Sequence, residues 1–169
     1  QDWSNRQTEQ DFSLLQAAVS TTRTGLALLN IPTNHAPTIF GTTTNQDEAV
    51  SLKILQPYIQ SILRSTLTLT QTTDWPSDRI LQLVTGNLTV GIPVETKLDL
   101  QQVVKKVKKQ IAAKHKECSR LQDRVASPSF REKAEASVIQ ESEERVTSLR
   151  QELTLLTSSE QQLATMLNS

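Results

Sequence analysis

Two apolar stripes with a 3.5-residue repeat occupy the last seventy residues of the chain. Over Leu100–Val125 the stripe advances by alternating steps of four and three, and over Ile139–Leu167 by alternating steps of three and four. This is the repeat of a coiled-coil seam. Pro128, between the stripes, lacks an amide proton and disfavours helix at Ser127, so the first helix should end there. Two arms of similar length with one short break predict two helices that pack antiparallel.

The two arms carry opposite charge, although the chain as a whole has 18 basic and 18 acidic residues. Residues 101–125 contain eight basic and two acidic side chains, a net charge of +6, whereas residues 134–169 contain six glutamates and two arginines, a net charge of −4. Attraction between the arms explains part of this asymmetry. The first arm still keeps a basic outer surface, which suits a phosphate backbone. A solvated face, a protein partner or an acidic membrane surface remain alternatives for such a helix.

The residues before the coiled coil predict a small α/β body in the order β-α-β-β-β. A preceding helix over 9–29 should bury the side marked by Phe12, Leu15, Val19 and Leu26, and Ile31-Pro32 should end it. A helix that begins at Gln46 or Asp47 contains Pro57, which predicts a kink or a break in two. The strands are expected at 38–43, 67–71, 79–85 and 88–94. The last two strands are joined by Gly86-Asn87, which can supply positive φ. A linker is expected at 33–37 and a loop at 74–78.

The predicted fold class is therefore α+β, a small mixed α/β body followed by a long antiparallel two-helix coiled coil. We expect three parts: a helix from the end of a helical domain at 1–35, the α/β body at 36–97, and the coiled-coil hairpin at 98–169, with Asp99 as a helix N-cap. No apolar run is long enough to cross a membrane. The first residues lack a signal peptide and an initiating methionine, so we expect a fragment of a longer protein.

Chemistry-bearing motifs are scarce in this chain. The two histidines, His35 and His115, have no partner at metal-ligand spacing, and four glycines form no phosphate loop. The lone cysteine, Cys118, falls on the seam, where it should pack as a small hydrophobe. Pairing of the two arms about the turn should place Cys118 near Val146 and Val107 near Leu156. Trp3 and Trp75 are expected to anchor small cores rather than stack on bases. We therefore expect no metal, no cofactor and no catalytic residue.

The order of these parts resembles the C-terminal end of valyl-tRNA synthetases. Their helical bundle exit corresponds to residues 30–32 (Asn-Ile-Pro), their strand pair to 80–94, and the step into their coiled coil to 98–100 (Leu-Asp-Leu). The family's turn motif, Asn-x-x-Phe-x-x-Lys-Ala-Pro, resembles residues 127–135, Ser-Pro-Ser-Phe-Arg-Glu-Lys-Ala-Glu. The chain departs from the motif at Ser127 and Glu135. The family's catalytic signatures, of the His-Ile-Gly-His and Lys-Met-Ser-Lys-Ser types, are missing.

This resemblance implies a non-catalytic appendage that contacts the tRNA backbone and elbow, where the D and T loops meet, and positions tRNA for aminoacylation. The fragment itself would not be an enzyme, although its parent would be a valine–tRNA ligase of protein biosynthesis. The alternative is a structural or protein-interaction coiled coil without RNA binding. The implied partners are tRNA and the rest of the synthetase, with no membrane, in a monomeric protein. A cytoplasmic location is expected, with a mitochondrial one as the alternative.

The candidate RNA-binding residues are basic side chains outside the seam. Lys108 lies nearer the seam and should pair with the second arm, while Arg145 should lie beside Glu117. At the hairpin tip Phe130 should pack back onto the hairpin end, with base stacking as the alternative. The full RNA-binding set is Lys105, Lys106, Lys109, Lys116, Arg120, Arg124 and Arg145, and the tip set is Phe130, Arg131 and Lys133.

Overall fold

The computed structural model describes residues 2–32, 37–75, 79–95 and 99–168, with side chains from residue 6 onwards. The expectations for the linker at 33–36, His35, the loop residues 76–78, Leu98 and the Trp3 side chain lie outside these residues. The chain forms two compact units, Gln1–Asp99 and Leu100–Ser169, and the α+β class is confirmed. Its elements are α1 Asp2–Leu28, β1 Thr38–Thr43, α2 Gln46–Leu63, β2 Thr66–Leu69, β3 Ile80–Thr85, β4 Leu88–Pro93, α3 Leu100–Ala126, α4 Pro128–Lys133 and α5 Ala136–Leu167.

The first unit contains a four-stranded sheet in the order β2-β1-β4-β3. β1 and β2 are parallel, and α2 connects them, whereas β4 is antiparallel to both β1 and β3. Gly86, with φ of 57°, and Asn87 form the turn of the β3–β4 hairpin. The predicted order β-α-β-β-β is therefore confirmed, and the strand bounds differ from expectation by a few residues.

Helix α1 packs against α2 and against β3 and β4. A Cβ atom on Gly25 would collide with the ends of Leu83 and Ile92, so the missing side chain lets the helix approach the sheet closely. The prediction that Phe12 is buried was wrong, because its side chain is 58% exposed. Leu14 is buried instead. Positions two apart on a helix point about 200° away from each other, so only one of these residues can face the sheet.

Helices α1 and α2 are each followed by a residue in the left-handed backbone conformation, which the sequence pattern did not predict. Asn30 has φ of 56°, and the amide of Ile31 donates to the carbonyl of Leu26 at 2.9 Å, as in a Schellman motif. Helix α1 ends through this motif, and Ile31-Pro32 follows it. Arg64 takes the same left-handed conformation after α2.

Helix α2 begins at Gln46, as predicted, and continues through Pro57 to Leu63. Of the two outcomes expected at Pro57, a kink or a break in two, the break was wrong. Pro57 is exposed, so water can solvate the carbonyl that its missing amide leaves without a partner. At the N-terminus Asn45 Oδ1 accepts from the amides of Asp47 and Glu48 at 2.9 and 3.2 Å. This side-chain cap fixes the start of the helix.

Trp75 anchors a small cluster at the sheet, in line with its expected role. Its ring stacks on Phe40 with centroids 5.7 Å apart, and its indole Nε1 donates to Thr70 Oγ1 at 2.8 Å. Gly91 lies directly under the ring, where a Cβ atom would overlap the indole. Trp75 therefore packs within the first unit.

Candidate nucleic-acid interface

The second unit is the antiparallel helical hairpin that the two apolar stripes predict. Helices α3 and α5 pack along each other. Cys118, Val146 and Leu149 form a buried cluster with Leu121 and Leu153 packed against it, which confirms the expected pairing of Cys118 with Val146. Cys118 is buried, as its place on the seam requires.

The buried side departs from the regular repeat near the end of α5. Met166 is buried and the seam residue Leu167 is exposed, while Ser159 is fully buried beside the half-buried Glu160. The Ser159 hydroxyl donates to the carbonyl of Leu155 at 2.9 Å, so its burial leaves no unsatisfied donor. The 3.5-residue repeat therefore predicts which residues are buried in the middle of the hairpin better than it predicts those near the end of α5.

One edge of the hairpin is closed by a network of four charged side chains. Lys114 Nζ donates to Glu152 Oε2 at 2.6 Å, and Arg145 lies 3.9 Å from Glu152 and 3.3 Å from Glu117. Two cations therefore balance two carboxylates. The expected proximity of Arg145 to Glu117 is confirmed, and the guanidinium is engaged with both acids.

The outward side of α3 has a different character. Lys105, Lys109, Lys116 and Arg120, which we call the basic face, are exposed, and within the described ranges no carboxylate lies within 4.0 Å of their charged groups. Lys109 and Lys116 are two helical turns apart, so their backbones are separated by about 10 Å along the axis. The face extends for about 22 Å from Lys105 to Arg120 at 1.5 Å per residue. These cations are available to an external anion.

The other predicted basic residues border this face. Lys106 is half-buried, and Arg124 is exposed near the end of α3. Lys108 lies 3.8 Å from Glu160 of the second arm, which confirms its expected pairing. The structure thus brings Lys105, Lys109, Lys116 and Arg120 together, whereas Arg145 lies at the edge that the charged network closes.

A short helix, α4, forms the tip of the hairpin and was not predicted. Pro128 occupies its first turn, where a missing amide costs nothing, and this placement is the sequence signal for the helix. Arg131 Nε donates to the carbonyl of Val125 at 2.8 Å, and its Nη2 donates to Glu143 at 2.8 Å. Arg131 therefore ties α4 to both long helices.

Phe130 and Lys133 complete the tip. The Phe130 ring is half-buried, and the Cζ atom of Arg124 lies over it at 4.8 Å from the ring centroid. The ring therefore packs back onto the end of α3, as expected. Lys133 is exposed, and it has no ion pair within the part of the chain that the structure describes. Of the three tip residues, Lys133 alone presents an uncompensated charge.

The opposite edge of the hairpin holds a surface groove of about 540 Å³ that the sequence analysis missed. Its chemistry combines cationic, apolar and hydroxyl groups. We call it the His115 groove, and its lining residues are Lys108, Ile111, Ala112, His115, Lys116, Thr157 and Glu160. No single motif encodes it, because two helices far apart in sequence contribute its walls.

Two further properties bear on function. Over residues 2–32, 37–75, 79–95 and 99–168, no group of three His, Cys, Asp or Glu side chains could hold a metal ion. No helix among these residues has the length and apolar character needed to cross a membrane.

Comparison with known proteins connects this hairpin to a family. No curated protein sequence matches the chain. Residues 99–164 match the family described as the valyl tRNA synthetase tRNA binding arm. The match begins one residue before α3 and includes α4 and most of α5. Residues 99–164 of this chain are therefore similar to the valyl-tRNA synthetase tRNA-binding arms, which confirms the resemblance of the chain to the C-terminal region of these enzymes.

Proposed function

We propose that this chain is the non-catalytic C-terminal tRNA-binding region of a valine–tRNA ligase. The basic face would hold the tRNA backbone and elbow, so that a catalytic domain elsewhere in the parent protein acts on a well-placed acceptor end. The observation that carries the proposal is the row of uncompensated cations on a hairpin that matches a tRNA-binding arm. Binding energy gained far from the reacting atoms can be used for such positioning.

The lysines and the arginines would make different kinds of contact with tRNA. Lysine is a compact point charge, so Lys105, Lys106, Lys109 and Lys116 would act as a diffuse tether to phosphates. The planar guanidinium of arginine can contact a phosphate through two donors or stack on an exposed base, which suits Arg120 and Arg124 to the elbow.

Arg145 stays in the proposed set, with a second role that its contacts suggest. By pairing with Glu117 it compensates a carboxylate close to the basic face, which would otherwise repel phosphate. Its side chain is 46% exposed, so a donor can still reach RNA. At the tip, Lys133 would contact the backbone directly, while Arg131 and Phe130 would hold the tip in shape.

The remaining parts of the proposal concern the parent protein. Residues 1–35 would end a helical, anticodon-binding-like domain, 36–97 would form a connecting α/β body, and 98–169 would be the tRNA-binding arm. The partners would be tRNA and the rest of the synthetase, with no membrane and no cofactor. We propose a monomer in the cytoplasm, with a mitochondrial location as the alternative.

Binding to folded tRNA and to an unstructured RNA of equal length tests this function. The full chain should prefer folded tRNA, and affinity should fall steeply with salt because phosphate contacts release counterions. Charge reversal of Arg120, Arg124 and Arg145 to Glu should remove most of the preference. Charge reversal of Lys105, Lys109 and Lys116 to Glu should weaken binding to both RNAs. It should also make the slope of log K against log salt concentration shallower by about 0.7 to 0.9 per lost phosphate contact.

The control reverses two exposed cations of the first unit, Arg23→Glu and Lys53→Glu, and should bind both RNAs as the wild type does. If the wild type binds neither RNA at moderate salt, or if the Arg variant binds as well as wild type, the tRNA-binding proposal fails. A structural or protein-interaction coiled coil is then the better account.

A further inference from the structure

The two edges of the hairpin offer an RNA very different surfaces. On one edge Lys114, Arg145 and two glutamates neutralise one another. On the other edge the His115 groove is open, and it adjoins the basic face because Lys116 belongs to both. A polyanion on the basic face would therefore find a cation without a carboxylate partner on the groove side, whereas Arg145 on the other edge is shared with two carboxylates.

The chemistry of the groove suits one nucleotide better than a small inorganic anion. Lys108, His115 and Lys116 supply donors along α3, and Thr157 lines the groove from α5. Ile111 and Ala112 supply an apolar surface between these donors. A phosphate needs the donors, whereas a ribose and a base need apolar area as well.

Glu160 is the one carboxylate in the groove lining, and the structure restrains it. Its side chain is 21% exposed and lies 3.8 Å from Lys108 Nζ, whereas the Lys108 side chain is 64% exposed. The pair leaves the cation of Lys116 and the imidazole of His115 facing solvent without a carboxylate partner among the described residues. The groove is therefore cationic where it meets the basic face.

We propose that the His115 groove is a nucleotide subsite of the tRNA-binding arm. A phosphate of the bound RNA would lie between His115 and Lys116, and its ribose and base would lie against Ile111 and Ala112. This proposal rests on the proposed function, since the nucleotide would belong to an RNA already held by the basic face.

The subsite makes RNA binding depend on the imidazole of His115, which lies outside the basic face. The charged groups that face His115 are Lys108 and Lys116 on its own helix and Glu160 on α5. A ring N–H that donates to a phosphate adds one hydrogen bond to a charged group, so its loss should weaken binding by about threefold to tenfold.

The first test measures the Kd of the full chain for a folded tRNA transcript at constant, moderate ionic strength. His115→Ala, which removes the imidazole donor, should weaken binding by about threefold to tenfold. His35→Ala, at the other histidine of the chain, should bind with the wild-type Kd and thereby control for the loss of a histidine.

A second test asks where the RNA lies. A photoreactive amino acid at Thr157, in the groove lining, should crosslink to tRNA, whereas the same group at Thr154, also exposed on α5 but outside the groove lining, should crosslink far less. Wild-type affinity in His115→Ala, or equal crosslinking at both positions, would overturn the subsite while tRNA binding persists. Loss of all tRNA binding by the wild type would instead overturn the proposed function as well.

Discussion

At the residue scale, the availability of a basic side chain depends on the contacts it already makes. Arg131 and Lys133 lie two positions apart in α4, yet Arg131 donates to Val125 and Glu143 while Lys133 is exposed. The same contrast separates Arg145 from Arg120. Composition identifies these residues as a group, and only the structure separates those that support the hairpin from those that can bind an anion.

Phe130 gives a direct test of the tip. Phe130→Ala removes a half-buried ring and its contact with Arg124, so the free energy of unfolding should fall by about 1 kcal/mol, of which the cation–π contact supplies about 0.5 to 1 kcal/mol. Urea unfolding followed by circular dichroism measures this change. Lys133→Ala, on the same short helix, should stay within about 0.5 kcal/mol of wild type. Unchanged stability with weaker RNA affinity would show that Phe130 stacks on a base instead.

At the element scale, the face that each helix buries determines which substitutions it tolerates. Helix α2 buries Ile59 at 1% exposure, whereas Val50, Ile54, Tyr58 and Ile62 form an exposed apolar row four residues apart. Binary patterning predicts the helix, because apolar residues recur at helical spacing on both sides. The pattern does not show which side faces the sheet.

A matched pair of isoleucines tests this assignment. Ile59→Ala should lower the free energy of unfolding by about 2 to 5 kcal/mol, because it removes buried methylenes and leaves a cavity. Ile54→Ala, at 64% exposure, should change it by about 0.5 kcal/mol or less. Both values come from denaturant unfolding of the full chain. Comparable losses at the two positions would mean that the outer face of α2 is covered.

The hairpin pairing can be tested by engineered cysteines. Val107→Cys and Leu156→Cys, in a Cys118→Ala background, should form a disulfide within one chain, because both positions are buried on the seam of an antiparallel pair. Non-reducing electrophoresis with mass spectrometry reports the product. Disulfides formed only between chains would show that the repeat drives dimerisation rather than a hairpin.

Sequence reasoning succeeded where the signal is local or strictly periodic. The 3.5-residue stripes fixed the hairpin and the pairing of Cys118 with Val146, and Gly86-Asn87 fixed the β3–β4 turn. It failed where tertiary packing decides the outcome. Helix α1 turns the side with Gly25, rather than Phe12, toward the sheet, and the His115 groove needs two helices to exist.

At the scale of the whole molecule, the chain is neutral although the two arms of the hairpin carry opposite net charge. The acidic arm compensates part of the basic arm through Glu152 and Glu160, whereas its Arg145 pairs with Glu117 of the basic arm. The uncompensated cations remain on the outward side of α3. Net charge alone would therefore argue against a nucleic-acid partner, whereas the charge of each arm argues for one.

The chain should bind tRNA without charging it. Its sequence lacks the catalytic signatures of the resembled enzymes, so the purified chain should give no valine- and ATP-dependent aminoacylation of tRNA. Acid-precipitation assays with radiolabelled valine measure this, and an intact valine–tRNA ligase serves as the positive control. Charging by the chain alone would contradict the proposed role of the chain as a non-catalytic appendage.

Hydroxyl-radical footprinting of folded tRNA tests the central claim most directly, because it locates the contact on the RNA. With the full chain at low salt, the account predicts protection of riboses at the elbow, where the D and T loops meet. It also predicts that reversal of Lys109, Lys116 and Arg120 to Glu removes this protection, whereas Arg23→Glu with Lys53→Glu leaves it intact. Protection confined to other parts of the tRNA, or a footprint that survives reversal of the basic face, would contradict the account.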